Sequence, residues 1–256
     1  MKQKISIMGC GWLGLPLAGE LVNNGYTVNG STTNPDKIEQ IKAMGAHPYL
    51  IHIGKRNNPY AEFLHAHILI VAITSKSIED FKYLMEKINA SPIKKVIFIS
   101  STSVYPSNNT VVNEITPVKD VPLVRIEQLF RSNPNIATTV IRFAGLYGYN
   151  RKPGNFFPEG RIIDHPEGYV NFIHRDDCIR IIQKIIISET WNQLFNGCTD
   201  THPTRREFYT SQILKVGRTK PAFNEEASNA YKIVDNKKIK DILHFTFKYP
   251  NLMNGA

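Results

Sequence analysis

The sequence has few cysteines, no long apolar segment and no run of basic residues. Its three cysteines, Cys10, Cys178 and Cys198, are far apart and odd in number, which excludes a disulfide framework and metal-ligand spacing. This usage is typical of a reducing compartment, so we expect a cytoplasmic protein. No stretch of about 18 apolar residues occurs. The sequence therefore predicts no membrane-spanning segment, no membrane partner and no metal.

Positive charge is in excess, but it is not concentrated in one region. The 31 basic and 22 acidic residues give a formal net charge of +9, which both halves of the chain share. Proteins that bind nucleic acids gather such charge into basic runs or interleave it with aromatic residues, and neither pattern occurs here. The sequence therefore predicts no nucleic-acid partner. Anionic small molecules remain compatible with the charge.

Short apolar segments alternate with amphipathic ones through the first 145 residues. The apolar segments, interpreted as strands, are Lys4–Met8, Tyr26–Ser31, Pro48–Ile53, His67–Ile73, Lys95–Ser100 and Thr138–Phe143. The amphipathic segments, interpreted as helices, are Leu13–Asn24, Pro35–Met44, Ile78–Ile88 and Leu123–Arg131. Apolar strands separated by helices are typical of a parallel sheet covered on both faces. The pattern predicts an α/β fold, a doubly wound parallel sheet of the Rossmann type.

The pattern changes after residue 145, where a loop rich in Gly, Pro and Asn begins. Shorter strands and helices are expected beyond it, over Tyr169–His174, Asp176–Ile187, Asn192–Asn196, Thr204–Lys215 and Tyr231–Leu243. We expect residues 1–145 to form the Rossmann domain. Residues 146–256 are expected to form a smaller α+β lobe that binds the substrate, with some segments returning to the Rossmann core.

A glycine-rich turn follows the first predicted strand and opens the first helix, with the pattern G-x-G-x-x-G. The first glycine of such a turn permits tight bending, the second lets backbone approach a pyrophosphate, and the third allows close packing of helix on strand. The helix N-terminus adds N–H donors and a positive dipole end. The motif predicts a dinucleotide cofactor bound by Gly9, Gly11, Trp12, Leu13 and Gly14. Cys10 is either a thiolate stabilised by the helix or simply a small residue that keeps backbone near phosphate.

The end of the second strand carries no acidic residue between Glu20 and Asp36. NAD enzymes usually place an acid there to bind the ribose 2′-hydroxyl. Hydroxyl groups and a lysine occur instead, at Ser31, Thr32, Thr33 and Lys37. These side chains suit a 2′-phosphate, so we expect NADP to be preferred, with NAD possible. In the alternative interpretation, these hydroxyls belong to a polar turn that caps the next helix, and the two roles are compatible.

Three further segments resemble those of extended short-chain dehydrogenases, the nucleotide-sugar epimerase and dehydratase group. Phe98–Tyr105 is similar to the Ser-Ser-x-x-Val-Tyr-Gly strand end of that group. Arg142–Gly148 resembles its Arg-x-x-x-x-Tyr-Gly segment, and Asn171–Asp177 its Phe-Ile-His-x-Asp-Asp motif. The glycine turn resembles the small, atypical subgroup with Gly-x-Gly-Trp-Leu-Gly. It also resembles 3-hydroxyacid dehydrogenases, but the chain lacks the length for their all-helical second domain.

The resemblance implies roles for residues outside the glycine turn. Further cofactor contacts are implied for Ala72, Thr74, Ser100, Phe143 and Gly145. A small-molecule substrate is implied, with contacts from Ser103, Tyr147 and His174, while Ser101 orients the reacting oxygen. The group commonly forms homodimers through the helices after strands four and five, so a homodimer is the default expectation, which Pro122 in the second helix weakens.

The Tyr-x-x-x-Lys dyad of active group members is missing. Lys119 stands where the tyrosine should be, and Leu123 where the lysine should be. Three substitutes are open: Tyr105 as the acid, Arg125 as a charge, or His174 as a titrating group. Two hypotheses follow. The chain is an NADP-preferring oxidoreductase or epimerase-like enzyme acting on a small polar, sugar-derived, nucleotide-sugar-derived or phosphorylated substrate, or it is an NAD(P)-binding sensor or partner-binding module without turnover.

Overall fold

The computed structural model describes residues 3–255 of the chain. Its strands are β1 Lys4–Met8, β2 Thr27–Thr32, β3 His47–Leu50, β4 Ile68–Val71, β5 Lys95–Ser101, β6 Thr110–Val112, β7 Ala137–Phe143, β8 Gly145–Tyr147, β9 Phe172–His174, β10 Leu194–Gly197 and β11 Lys232–Val234. Its α-helices are α1 Gly14–Asn23, α2 Ile38–Ala43, α3 Tyr60–Phe63, α4 Ile78–Asn89, α5 Pro122–Arg131, α6 Arg175–Ile187, α7 Arg205–Lys215, α8 Lys237–Leu243 and α9 Leu252–Gly255. Short 3-10 helices cover Pro35–Lys37, Thr102–Val104 and Pro153–Asn155.

The central sheet is parallel and has seven strands in the order β10-β7-β5-β4-β1-β2-β3. Ile5 of β1 pairs with Val28 of β2 on one side and with Ile68 of β4 on the other. All four residues of β4 are buried, as a strand covered on both faces requires. The strand order reverses between β1 and β4, which is where doubly wound sheets bind their ligands. The predicted Rossmann-like α/β fold is confirmed.

The chain forms two compact units, each built from segments that are separate in sequence. The first unit comprises Met1–Ser100, Asp120–Ile141 and Ile182–Leu194. The second unit comprises Ser101–Lys119, Arg142–Ile181 and Phe195–Ala256. Two small parallel pairs belong to the second unit, β6 with β11 and β8 with β9.

Apolar packing and helix caps explain the main elements of each unit. In the first unit, Phe98 stacks on Phe130 with ring centroids 4.9 Å apart. Helix α4 begins where Ser77 Oγ accepts a hydrogen bond from the backbone N–H of Asp80. In the second unit, a capping box between Thr204 and Glu207 begins α7.

The structure differs from the sequence expectations mainly in short elements. The helix expected over Pro35–Met44 is a 3-10 turn followed by α2, and the strand expected over Tyr169–His174 is reduced to β9. Elements α3, β6, β8 and α9 were not expected, because three or four residues carry too little periodicity to detect. Among residues 3–255, no helix combines the length and apolar character needed to cross a membrane.

Candidate functional site

The three glycines of the turn after β1 have different surroundings. Gly9 has φ +104°, and a Cβ there would lie 2.6 Å from the carbonyl oxygen of Ala72. A Cβ on Gly14 would lie 2.1 Å from the carbonyl oxygen of Gly9. A Cβ on Gly11 would meet nothing within 4 Å. Gly9 and Gly14 are therefore needed for packing, whereas Gly11 faces open space that a ligand can enter.

Ser31 of β2 holds the glycine turn in place. Its Oγ accepts a hydrogen bond from the N–H of Gly9 over 3.1 Å, and its carbonyl oxygen accepts from the N–H of Cys10 over 2.7 Å. The Sγ of Cys10 lies 2.7 Å from where a Cβ on Gly30 would stand. Burial raises the pKa of Cys10 to about 12. Cys10 is therefore a neutral packing residue, and the thiolate interpretation is wrong.

The N-terminus of α1 can accept an anion. Its first turn carries no acidic residue, and Leu13 at the N-cap makes no side-chain cap hydrogen bond. Helix N-terminal N–H groups that lack a side-chain acceptor favour a negatively charged oxygen. Together with the open position at Gly11, this fits the pyrophosphate of a dinucleotide. Trp12, which follows Gly11 in the sequence, is half-buried.

The side chains at the end of β2 divide into two pairs. Ser31 and Thr32 are buried, and Thr32 Oγ1 accepts a hydrogen bond from the N–H of Asn34 over 3.1 Å. Thr33 is exposed and Lys37 is partly exposed. The first pair stabilises the turn, and only the second pair presents polar groups at the surface.

The predicted cofactor residues at the ends of β4 and β5 also differ in exposure. Ala72 is half-buried and donates its N–H to the carbonyl oxygen of Met8 over 2.8 Å, while Thr74 is exposed. Ser100 is buried and its Oγ donates a 2.5 Å hydrogen bond to Oε1 of the equally buried Glu127. The role of Glu127 was not expected, because its partner lies 27 residues away in sequence.

In the second unit, Ser101 and Ser103 share one short turn. Ser101 is half-buried, and its Oγ accepts a hydrogen bond from the N–H of Ser103 over 3.1 Å. This bond uses an acceptor site of the hydroxyl and not its proton. Ser103 is exposed. The geometry thus leaves the Ser101 proton available for orienting an oxygen.

Tyr105 is fully buried, and its hydroxyl is part of a closed network. The hydroxyl donates to Oδ1 of Asn196 over 2.8 Å and accepts from Nη1 of Arg142 over 2.9 Å. Burial raises the pKa of Tyr105, against the opposing charge of Arg142. The backbone N–H of Asn196 donates to Oε1 of Glu114 over 2.8 Å. This geometry favours a structural role for Tyr105 over the acid that the sequence suggested.

Three residues of the Arg142–Gly148 segment were expected from the sequence to contact the cofactor or the substrate. Phe143 is buried, and a Cβ on Gly197 would lie 2.3 Å from its ring. Gly145 is exposed, and its N–H donates to the carbonyl oxygen of Asn171 over 3.0 Å. Tyr147 is buried, and its hydroxyl has no hydrogen-bond partner among the residues described. Burial, followed by the charge of Asp177, raises the pKa of Tyr147.

His174 lies in an aromatic cluster of the second unit. Its ring centroid is 3.8 Å from that of Tyr249 and 5.2 Å from that of Tyr147. Its Nδ1 accepts a hydrogen bond from the N–H of Asp176 over 3.2 Å. Burial lowers the pKa of His174, so the ring is neutral near pH 7. The histidine therefore anchors the start of α6.

Asp177 is a buried carboxylate whose role the sequence analysis missed. It accepts hydrogen bonds from the backbone N–H groups of Lys248 over 2.8 Å and Tyr249 over 3.0 Å, and from Nη1 of Arg180 over 2.8 Å. The second aspartate of the Phe-Ile-His-x-Asp-Asp motif was the available signal. Within residues 3–255, no group of three metal-ligating side chains is positioned to bind an ion.

Comparison with known proteins gives the class of cofactor that residues 4–125 bind. Residues 4–125 match the family model of the NAD binding domain of 6-phosphogluconate dehydrogenase. This match begins at β1 and ends within α5, so it covers the glycine turn and the strands beside it. That part of the chain is an NAD-binding Rossmann domain.

Two solved structures share the fold over nearly the whole chain. A functionally unknown conserved protein from Silicibacter pomeroyi superposes with a TM-score of 0.85 at 23% identity, over 99% of this chain and 96% of that one. A UDP-glucose 4-epimerase from Thermotoga maritima, solved with UDP-glucose, superposes with a TM-score of 0.77 at 19% identity, over 98% and 97%. At such identities the likeness shows the fold alone.

A sequence relative covers the same extent at higher identity. Protein YeeZ of Escherichia coli strain K12 is 30% identical over 267 aligned positions, which include 97% of this chain and 97% of YeeZ. A likeness of that length spans both units, from the glycine turn to the segment that bonds to Asp177. The chain belongs to the same family as Protein YeeZ.

Proposed function

We propose that this protein is an NADP-preferring oxidoreductase or epimerase-like enzyme acting on a small polar, sugar-derived substrate. The observation that carries the proposal is the open position at Gly11 beside a helix N-terminus without a side-chain cap. That arrangement suits a diphosphate. A nicotinamide cofactor supplies hydride transfer when bound.

The preference for NADP rests on charge at the end of β2. No carboxylate lies between Glu20 and Asp36 to repel a 2′-phosphate. Lys37 and Thr33 offer an ammonium and a hydroxyl at the surface there, whereas Ser31 and Thr32 are committed to the turn. We therefore assign the 2′-phosphate to Thr33 and Lys37 alone.

Ser101 is the residue of the second unit proposed to act on the substrate. Its hydroxyl proton can donate to a carbonyl or hydroxyl oxygen, since the Oγ acceptor is already held by the N–H of Ser103. Ser101→Ala should lower kcat and leave the affinity for cofactor unchanged. A variant with full kcat would remove Ser101 from the mechanism.

The cofactor proposal is tested by fluorescence titration with NADPH and with NADH. Tighter binding of NADPH is expected. Lys37→Ala should weaken NADPH by about tenfold, the effect of one charge-assisted contact, and leave NADH unchanged. The matched control is Lys42→Ala, which removes an exposed lysine paired with Glu39 on α2. Equal loss in both variants, or tighter NADH, would contradict the assignment.

The closed network around Tyr105 favours a second candidate, an NAD(P)-binding sensor without turnover. With Lys119 and Leu123 in place of the dyad, α5 supplies no acid of the usual kind. The two functions are distinguished by measuring NADPH oxidation after the protein and NADPH are mixed with carbonyl compounds and nucleotide sugars. Oxidation of NADPH supports the enzyme. Tight cofactor binding without oxidation across the panel supports the sensor.

A further inference from the structure

Two lysines of the second unit meet at the segment that follows β5. The backbone N–H of Lys119 donates to the carbonyl oxygen of Val104 over 2.9 Å. The Nζ of Lys232 donates to the carbonyl oxygen of Tyr105 over 3.1 Å. Val104 and Tyr105 are neighbours, so two distant parts of the chain are fastened beside the same short segment. That segment also carries Ser103.

The backbone of Lys232 is fixed on two sides. It heads β11 and pairs with Thr110 of β6. The side chain of Asn171 donates from Nδ2 to the carbonyl oxygen of Lys232 over 2.8 Å, and accepts at Oδ1 from the N–H of Val234 over 2.8 Å. The lysine side chain therefore starts from a rigid position, which lowers the entropy lost when it binds a ligand.

The positive charge of Lys119 acts on the ammonium group of Lys232. Burial, followed by the positive charge of Lys119, lowers the pKa of the half-buried Lys232. No carboxylate is among the causes of this pKa shift. Like charges that share a site partly withdrawn from water destabilise the charged form, and an anion placed beside them removes this cost. A lysine whose charged form is disfavoured by burial and by a like charge is a candidate for a binding site.

The neighbouring polar side chains add donors of the same kind. Ser103 is exposed and directly precedes Val104, the first of the two residues that the lysines contact, and Ser101 accepts from its N–H. Ammonium and hydroxyl groups both donate hydrogen bonds to oxygen. Two positive charges with hydroxyl donors match a doubly negative oxyanion in charge and in hydrogen bonding.

We propose that Lys119, Lys232 and Ser103 bind the phosphate group of a phosphate monoester. The proposal rests on the proposed function and narrows it, because it makes the substrate of that enzyme a phosphorylated compound. It also gives Lys119 a task at the place where the related group carries a tyrosine. A carboxylate has the same donor requirements with half the charge, so it serves as the comparison ligand.

The test is calorimetric titration of the full-length protein with inorganic phosphate. Phosphate could also enter the glycine turn, so every variant is made in a Gly11→Asp background that blocks this turn. Lys119→Met and Lys232→Met should each weaken phosphate binding at least tenfold. The control Lys220→Met, which removes an exposed lysine of the same unit, should bind as the background protein does.

The outcomes separate this proposal from the cofactor proposal. Phosphate affinity unchanged in Lys119→Met would overturn it, and this exposed residue can be replaced without disturbing packing. Acetate binding as tightly as phosphate would also overturn it. Lys232→Arg, which keeps the charge, should restore most of the affinity lost in Lys232→Met. NADPH titration of Lys119→Met with an intact Gly11 should be unchanged, so failure of one proposal leaves the other measurable.

Discussion

The hydroxyl of Tyr105 donates its proton to Oδ1 of Asn196, a residue 91 positions away in sequence, over 2.8 Å. Tyr105→Phe removes this donor and one partner of Arg142 while keeping the ring. We expect a loss of about 1–3 kcal/mol in the free energy of unfolding, because buried polar groups lose a partner. Urea denaturation measures this loss. Cofactor-dependent turnover should be retained, and a variant that is stable but inactive would restore Tyr105 as the acid.

Substitutions of the three turn glycines should have different consequences. Gly11→Asp should abolish dinucleotide binding and leave the melting temperature nearly unchanged, because its side chain enters open space and brings a negative charge to the pyrophosphate position. Gly14→Ala should lower stability, since its Cβ would lie 2.1 Å from the carbonyl oxygen of Gly9. Calorimetry and thermal denaturation separate the two effects. Unchanged dinucleotide affinity in Gly11→Asp would remove the basis of the cofactor proposal.

Cys10 should be unreactive in the folded protein despite its place beside a helix N-terminus. Burial raises its pKa to about 12, so the thiolate that attacks alkylating reagents is nearly absent near neutral pH. We expect iodoacetamide to leave Cys10 unmodified under native conditions and to modify it after unfolding, as read by mass spectrometry. Rapid native labelling at this position would contradict its assignment as a packing residue.

His174 should make the stability of the protein depend on pH. Burial lowers its pKa below the ordinary 6.5, so the unfolded state binds more protons near pH 6 than the folded state does. The stability that this histidine contributes is present above pH 6.5 and is lost as pH falls through the folded-state pKa. The melting temperature should therefore fall on acidification from about pH 7.5 to about pH 5.

His174→Asn tests this contribution. The amide oxygen of asparagine can still accept the N–H of Asp176, but it does not titrate. The dependence of melting temperature on pH should become shallower, whatever the change in its absolute value. His244→Asn is the control, because His244 is exposed and has φ +47°, a backbone conformation that asparagine tolerates. An equal flattening in both variants would contradict the assignment.

The sequence allowed the fold to be predicted where elements were long and uniform. β1 was predicted at its observed bounds, and the helix expected over Asp176–Ile187 differs from α6 by one residue at its start. The pairs β6–β11 and β8–β9 were missed, because three-residue strands form only when segments far apart in sequence meet. Local patterns contain no information about such partners.

Within the candidate site, features that depend on local sequence were accessible to prediction, and features that depend on the folded chain were not. The glycine turn could be recognised because its residues are contiguous and directly follow β1. The burial of Tyr105 could not, since it depends on Asn196 and Arg142, which only the folded chain brings together. Lys232 was missed for the same reason, because its contact with Tyr105 spans 127 positions.

The fit between Gly148 and His174 restricts how this sequence can diverge. With a Cβ at 148 only 2.4 Å from the imidazole Nε2, and with φ +118°, no larger residue can replace the glycine while the histidine stays. Exchange of the histidine for a smaller residue, in contrast, creates no clash at this contact. Evolutionary change at these two positions is therefore asymmetric: the ring can become smaller, but the glycine stays, because φ +118° strains any side chain even where space is open.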